Sequence, residues 1–337
     1  MQIDKTTYND LSVFSAEETF SIFHKLDFTR TTGGKEWLRY MMREPFDALS
    51  KIKDTQNIIR QIEFRLEEWP TCITNGTLIM MERFYDTALD PIPHSADFIS
   101  TGLYKTLHSA DYGLVRYSVK HFRDFISGVQ QLAVLIDTPQ APPKLQTFAS
   151  RIRQLLQHRQ LQELLNKKAG ESFSIRENLY YGHFLSNRFK VQCSELTEMF
   201  YQLDAWYSMA MAVRQYGLTF PEFVVSDEPF VKADKLYHIL LPQPVSYDIE
   251  LSPQSNFLFL TGANMAGKST FIKSLGVAVY LAHLGMGVPA EKLTLSLFDG
   301  ILSNINVEDN IVKGESYFFN EVQRIKKTIL TISNGKK

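Results

Sequence analysis

The chain has 337 residues, 44% of them apolar and 22% charged, which is ordinary globular composition with room for two or three domains and excludes a disordered or fibrous protein. Lys and Arg total 36 against 37 Asp and Glu, so any contact with nucleic acid has to come from a local basic face. Cys72 and Cys193 have neither metal-ligand spacing nor disulfide-scaffold density, and no signal peptide or membrane-length apolar run is present; a cytoplasmic protein without a membrane partner is expected.

The first 230 residues read mainly as helices. Ile52, Gln56, Ile59, Ile62 and Leu66 recur at three- and four-residue spacing and predict one amphipathic helix, limited by Pro45 and by Trp69-Pro70. The prolines of Ile136-Asp-Thr-Pro-Gln-Ala-Pro-Pro143 deny a helix its donors and mark a linker. A second stripe runs through Leu196, Phe200, Leu203, Tyr207, Ala210 and Met211, with Gly217 placed to stop it. After about residue 231 the pattern changes. Asn256-Phe-Leu-Phe-Leu260 predicts a short buried strand, followed by a turn and a helix over 269–284 that Gly285-Met-Gly287 ends.

Gly262-Ala-Asn-Met-Ala-Gly267-Lys268-Ser269 fits G-x-x-x-x-G-K-[ST] between that strand and helix. Glycines let backbone N–H groups turn inward around a phosphate, while the new helix presents its positive end to the same anion. Lys268 would reach the β- and γ-phosphates, and the Ser269 hydroxyl would ligate Mg²⁺. Hydrolysis also needs an acidic element, normally at the end of an apolar strand. Leu293 to Asp299 ends in a carboxylate but continues with Gly300, and Val307-Glu308-Asp309 lacks a preceding strand, so both read better as solvated turns.

These residues resemble the MutS family of ATPases associated with DNA mismatch repair. Leu260 to Thr270 is similar to that family's P-loop, with Asn264-Met265 as its distinctive part; Val288-Pro-Ala290 and Asp309-Asn-Ile-Val-Lys-Gly-Glu-Ser-Tyr-Phe318 resemble its later ATPase motifs. Upstream, Leu26 to Thr31, Gly34, Leu38, Arg39 and Pro45, then Leu203-Asp204 with Ser208, resemble its helical core.

The resemblance implies nucleotide contacts from Gly262, Ala263, Asn264, Met265, Ala266, Gly267, Lys268, Ser269 and Thr270, with Val245 and Tyr247 on the adenine side. It implies ATP and Mg²⁺ as cofactors and a homodimer across the nucleotide site, in which Ser316 of one subunit touches the γ-phosphate held by the other. Taken alone, Ser316 also reads as a helix N-cap. His238 stands where the family has a His-Pro pair and reads as structural.

The expected fold is a mainly α-helical core and lever platform followed by an α/β P-loop NTPase domain of ABC type, incomplete at its C-terminus. Expected limits are 1–90 and 186–230 for the core, 91–185 for lever and shortened clamp helices, and 231–337 for the ATPase domain. No counterpart of the family's mismatch-reading and connector domains precedes Leu26, and the sequence stops at Lys337, where the family's Asp-Glu strand would begin. Two readings stay open: a DNA-dependent ATPase truncated before its catalytic carboxylates, or a nucleotide-gated module that binds without turnover. An unrelated P-loop kinase finds no acceptor or lid elements here.

DNA is the expected macromolecular partner, held through phosphates. The best basic stretch carries Arg151, Arg153, Arg159, Lys167 and Lys168, projecting from a helix whose other side is apolar; Lys105, Arg116, Lys120 and Arg123, interleaved with Tyr112, Tyr117 and Phe122, form a second set. A solvated helix face is the competing reading of both.

Overall fold

The structure is a computed structural model and describes residues 1–93, 98–167, 172–305 and 317–332. In chain order, β1 (Gln2–Ile3), α1 (Lys5–Asp10), α2 (Ile22–Leu26), α3 (Thr32–Arg43), α4 (Leu49–Glu63), α5 (Asn75–Asp86) and α6 (Phe98–Leu107) lead to the long α7 (Ser109–Ile136). Then come α8 (Pro143–Leu155), α9 (Arg159–Leu165), α10 (Ile175–Arg188) and α11 (Lys190–Tyr216). Strands β2 (Glu222–Phe223), β3 (Val231–Leu236) and β4 (Tyr247–Leu251) precede α12 (Lys268–His283), and β5 (Lys292–Leu295), β6 (Gly300–Ile301) and α13 (Tyr317–Ile332) follow it.

The chain divides into two compact units that cut across the four sequence segments: residues 1–28, 38–63 and 206–337 form one, and 29–37 with 64–205 the other. The second unit is helical. Val115, Val119, Phe122, Ile126, Val129 and Leu132 bury one side of α7 against α5, α8 and α10. The predicted linker is the loop between α7 and α8, and Pro143 opens α8, where its missing N–H has no intrahelical role. Buried Asp204 accepts hydrogen bonds from the Arg30 N–H (3.0 Å), the Thr31 N–H (3.0 Å) and the Thr31 hydroxyl (2.7 Å), which satisfies a carboxylate that burial alone would push toward its neutral form.

In the first unit, the predicted stripe lies on α4: Ile52, Gln56, Ile59 and Ile62 are buried, and the Gln56 amide donates to the Pro221 carbonyl at 3.0 Å. Leu66 lies beyond the helix in a 3₁₀ turn. The second stripe lies on α11, which stops at Tyr216, just before Gly217, as expected. Gly217 (φ +59°) closes α11 by letting Leu218 N–H return to the Val213 carbonyl at 3.0 Å. Gly285 (φ +71°) ends α12 in the same way, with Met286 N–H bonded to the Leu281 carbonyl at 3.1 Å.

The sheets depart from expectation. A four-stranded mixed sheet runs β2-β5-β3-β4, with β2 parallel to β5 and β3 antiparallel to both β4 and β5; β1 and β6 form a separate parallel pair. The strand predicted at Asn256–Leu260 is not formed. After β4, a turn bridging Ser252 and Ser255 takes the chain out of the ladder, and no strand among the described residues pairs with 256–260. An apolar run becomes a strand only where neighbours accept its backbone hydrogen bonds. Phe257 and Phe259 are accordingly 79% and 80% exposed.

Candidate nucleotide-binding site

The Gly262–Ser269 loop enters α12 as the motif requires. Gly267 caps the helix at φ +87°, a left-handed conformation that a Cβ would disfavour, and Met265 takes φ +63°. A non-glycine residue held there stores strain of the kind found at ligand clamps, and the Met265 side chain projects fully into solvent. The Lys268 ammonium bends back over the loop and donates to the carbonyls of Gly262 (2.8 Å) and Ala263 (2.7 Å). The cation is therefore centred on the loop, next to the N–H groups at the start of α12.

A cavity of about 440 Å³ opens beside this loop, lined among others by His238, Gln243, Val245, Tyr247, Thr261, Met265, Lys268, Thr270 and Phe271. One wall is a stacked pair. The rings of Tyr247 and Phe271 lie 4.0 Å apart at 26°, and the Tyr247 hydroxyl donates to the Phe271 carbonyl at 2.6 Å. Burial pushes the Tyr247 phenol above its ordinary value, so the hydroxyl stays a donor. Val245, at the mouth, is 87% exposed.

His238 lines the cavity and also serves the backbone: its Nδ1 accepts from Leu240 N–H at 3.3 Å. Burial first, and then the charge of Lys273, lowers its pKa. Sequence reasoning missed Phe271. Its only local signal is an apolar residue in the first turn of the helix, on the side facing β4.

Of the residues matched to the P-loop, Met265, Ala266, Gly267, Lys268 and Thr270 line the cavity. Gly262 and Ala263 meet it through the carbonyls that hold Lys268, while Asn264 lies exposed in the same loop and Ser269 lies exposed in the first turn of α12. No carboxylate lines the cavity among the described residues. Asp299 lies elsewhere in the unit, beside β1, where its carbonyl accepts from Gln2 N–H at 2.7 Å. Ser316, Glu308 and Asp309 lie outside the described residues.

The first basic stretch is not a free cationic face. Arg151 makes a two-pronged contact with Glu195 (2.5 and 2.8 Å), Arg153 pairs with Asp137 (2.5 Å), Arg159 with Glu163 (2.7 Å) and Lys167 with Glu177 (2.5 Å). Lys168 lies outside the described residues. In the second set, Arg123 is buried and paired with Asp124 at 2.8 Å. Lys105, Arg116 and Lys120 are exposed and no carboxylate among the described residues pairs with them. The Arg116 guanidinium lies 5.5 Å from the ring of Tyr117, itself 57% exposed.

Comparison with known proteins adds an independent line. A family model described as MutS domain V matches residues 258–336. The DNA mismatch repair protein MutS of Pseudothermotoga lettingae is 32% identical over 137 residues, covering 40% of this chain and 17% of that protein. The DNA mismatch repair protein MSH3 of Candida glabrata is 37% identical over 122 residues (35% of this chain, 12% of that protein), and MSH3 of Meyerozyma guilliermondii 29% over 201 residues (57% and 20%). The matched stretches thus span a fifth or less of these three relatives. No helix among the described residues is long and apolar enough to cross a membrane. The P-loop, its helix and these matches agree: residues 258–336 match MutS domain V, and the chain is similar to the DNA mismatch repair proteins MutS and MSH3 over part of its length.

Proposed function

We propose that this chain is an ATP-binding, DNA-associating protein of the mismatch repair type, in which bound nucleotide draws two copies together and changes their grip on DNA. The observation that carries the reading is the Lys268 ammonium centred on a glycine-capped loop beside a cavity with an aromatic wall. Lys268 and the first N–H groups of α12 bind the phosphates; Tyr247, Phe271 and Val245 offer a flat apolar surface to the base. The triphosphate supplies the anion that exchanges with the two carbonyls now held by Lys268. The chemistry of the donor set fits Mg²⁺ only in part, because Ser269 offers one hydroxyl and the remaining ligands have to be phosphate oxygens and water. Ser316 acts in trans on the partner's γ-phosphate.

A second reading, nucleotide gating without turnover, is favoured by the lack of a carboxylate among the described residues that line the cavity. Lys105, Arg116 and Lys120, rather than the paired cations of the first stretch, are assigned to DNA phosphates. Titration with a fluorescent ATP analogue tests the core of the proposal. Lys268→Ala should weaken binding at least tenfold, and unchanged affinity would remove the P-loop assignment. Phosphate release by the wild-type chain with DNA present separates the two readings.

A further inference from the structure

Helices α5 and α11 of the second unit turn two stripes toward each other. Met81, Glu82 and Tyr85 follow at helical spacing on α5, and Cys193, Glu198 and Tyr201 on α11. Between the stripes a cavity of about 260 Å³ opens to solvent. That is below the roughly 300–1,000 Å³ of small-molecule sites, and the shape suits one long side chain.

The floor is apolar, because Leu78, Met81 and Cys193 are buried. Two tyrosines form the walls, and both are fixed. The Tyr85 hydroxyl donates to the Leu185 carbonyl at 3.3 Å, and Tyr201 lies against the Gly33 backbone, where a Cβ would fall 2.2 Å from its Cζ. The rim is acidic. Glu82, Asp86 and Glu198 stand exposed at the mouth, and no cation among the described residues pairs with them. After burial, the charges of Glu82 and Glu198 are the main causes that raise the pKa of the Tyr201 phenol, so both carboxylates act at that end of the groove.

The other end shows what the groove accepts. Lys190 is the one cation that lines it, and its ammonium lies 5.5 Å from the centroid of the Tyr85 ring. Other occupants fit less well. Burial pushes the Cys193 thiol up to about 12, which leaves it an unreactive part of the floor. Among the described residues the three carboxylates do not converge on one point as metal ligands do. They also repel phosphates, so DNA is excluded here.

We propose that the groove between α5 and α11 is a docking site for a partner protein that inserts an arginine side chain. The stem lies on Leu78 and Met81, and the guanidinium lies beside Tyr201, between Glu82 and Glu198. Arginine suits this end better than lysine, because its planar fork donates to two carboxylates while one face stacks on a ring. The inference is independent of the nucleotide reading.

The test uses the whole chain labelled with ¹³C-methyl methionine, in which the Met81 resonance, assigned with Met81→Leu, reports on the floor of the groove. It is titrated with a short capped peptide that has a central arginine among alanines, and with the same peptide carrying citrulline, the neutral isostere of arginine. The arginine peptide should shift the Met81 resonance saturably below about 5 mM. Citrulline should bind about tenfold more weakly, and so should arginine to the double variant Glu82→Gln with Glu198→Gln. Affinity of that variant for a fluorescent ATP analogue should stay within about twofold of wild type, which shows an intact fold. No saturable shift, or equal binding of the arginine and citrulline peptides, overturns the proposal on the wild-type chain alone. Wild-type affinity in the double variant also overturns it.

Discussion

His283 offers a sharp test of how the first unit is held together. Its ring sits at the end of α12, fully buried, with Nδ1 2.9 Å from the Phe46 carbonyl and Nε2 accepting from Phe298 N–H at 3.3 Å. Its own carbonyl accepts from Phe46 N–H at 2.8 Å. The ring is therefore neutral, with its proton on Nδ1. Burial is the main cause that lowers its pKa from 6.5 to about 4, opposed by the bond to Phe46.

The direction of the pH effect follows from proton uptake. Below pH 6.5 the unfolded chain takes a proton that the folded chain refuses until about pH 4, so stability is complete above 6.5 and falls as pH drops through that window. One site with these two values removes about 1.4 kcal/mol by pH 5.5 and about 2.6 kcal/mol by pH 4.5. Urea unfolding followed through buried Trp206, with Trp37 and Trp69 replaced by Phe, reads the unfolding at a residue of the first unit. His283→Gln keeps an acceptor for Phe298 and removes the titration. The difference between wild type and variant should grow by the amounts above. Parallel pH profiles from 7.5 to 4.5 would refute the assignment; His238, common to both proteins, cancels.

Other consequences follow from contacts already described. Asp204→Ala leaves two buried N–H groups and a hydroxyl without their acceptor and should cost the second unit about 3 kcal/mol in chemical denaturation followed through Trp69. Gly285→Ala should cost the first unit about 2–3 kcal/mol, because φ is +71° and the new Cβ would lie 2.8 Å from Thr55 Cβ and 2.9 Å from the Ile52 carbonyl oxygen. Arg116→Glu with Lys120→Glu should weaken DNA binding and lower the slope of log K against log salt by about 2, while Arg151→Gln leaves both nearly unchanged. Fluorescence anisotropy at several salt concentrations reads both quantities.

The local features were legible because they depend on neighbours in sequence. The P-loop spacing, the apolar stripe of α4 and the glycines that end α11 and α12 are chemistry within a few residues, and each appears where the sequence places it. Features that depend on distant partners were not. Arg151 and Glu195 are 44 residues apart, and no charge pattern along one helix reveals that the other will neutralise it. The hydrogen bond between Asp10 and Ser303 spans 293 residues, so nothing local in the sequence shows that the N-terminal segment, besides its bonds to Arg43 and Pro45, also meets 299–305 and α12.

Asn256–Leu260 shows the same division most clearly. Its composition determined an apolar extended segment leading into a phosphate-binding turn, because side-chain hydrophobicity and glycine freedom are properties of the residues themselves. Whether it became a strand was a tertiary decision, since a ladder needs a second backbone at about 4.8 Å to accept its hydrogen bonds, and the four-stranded sheet built by β2, β3, β4 and β5 does not extend to it.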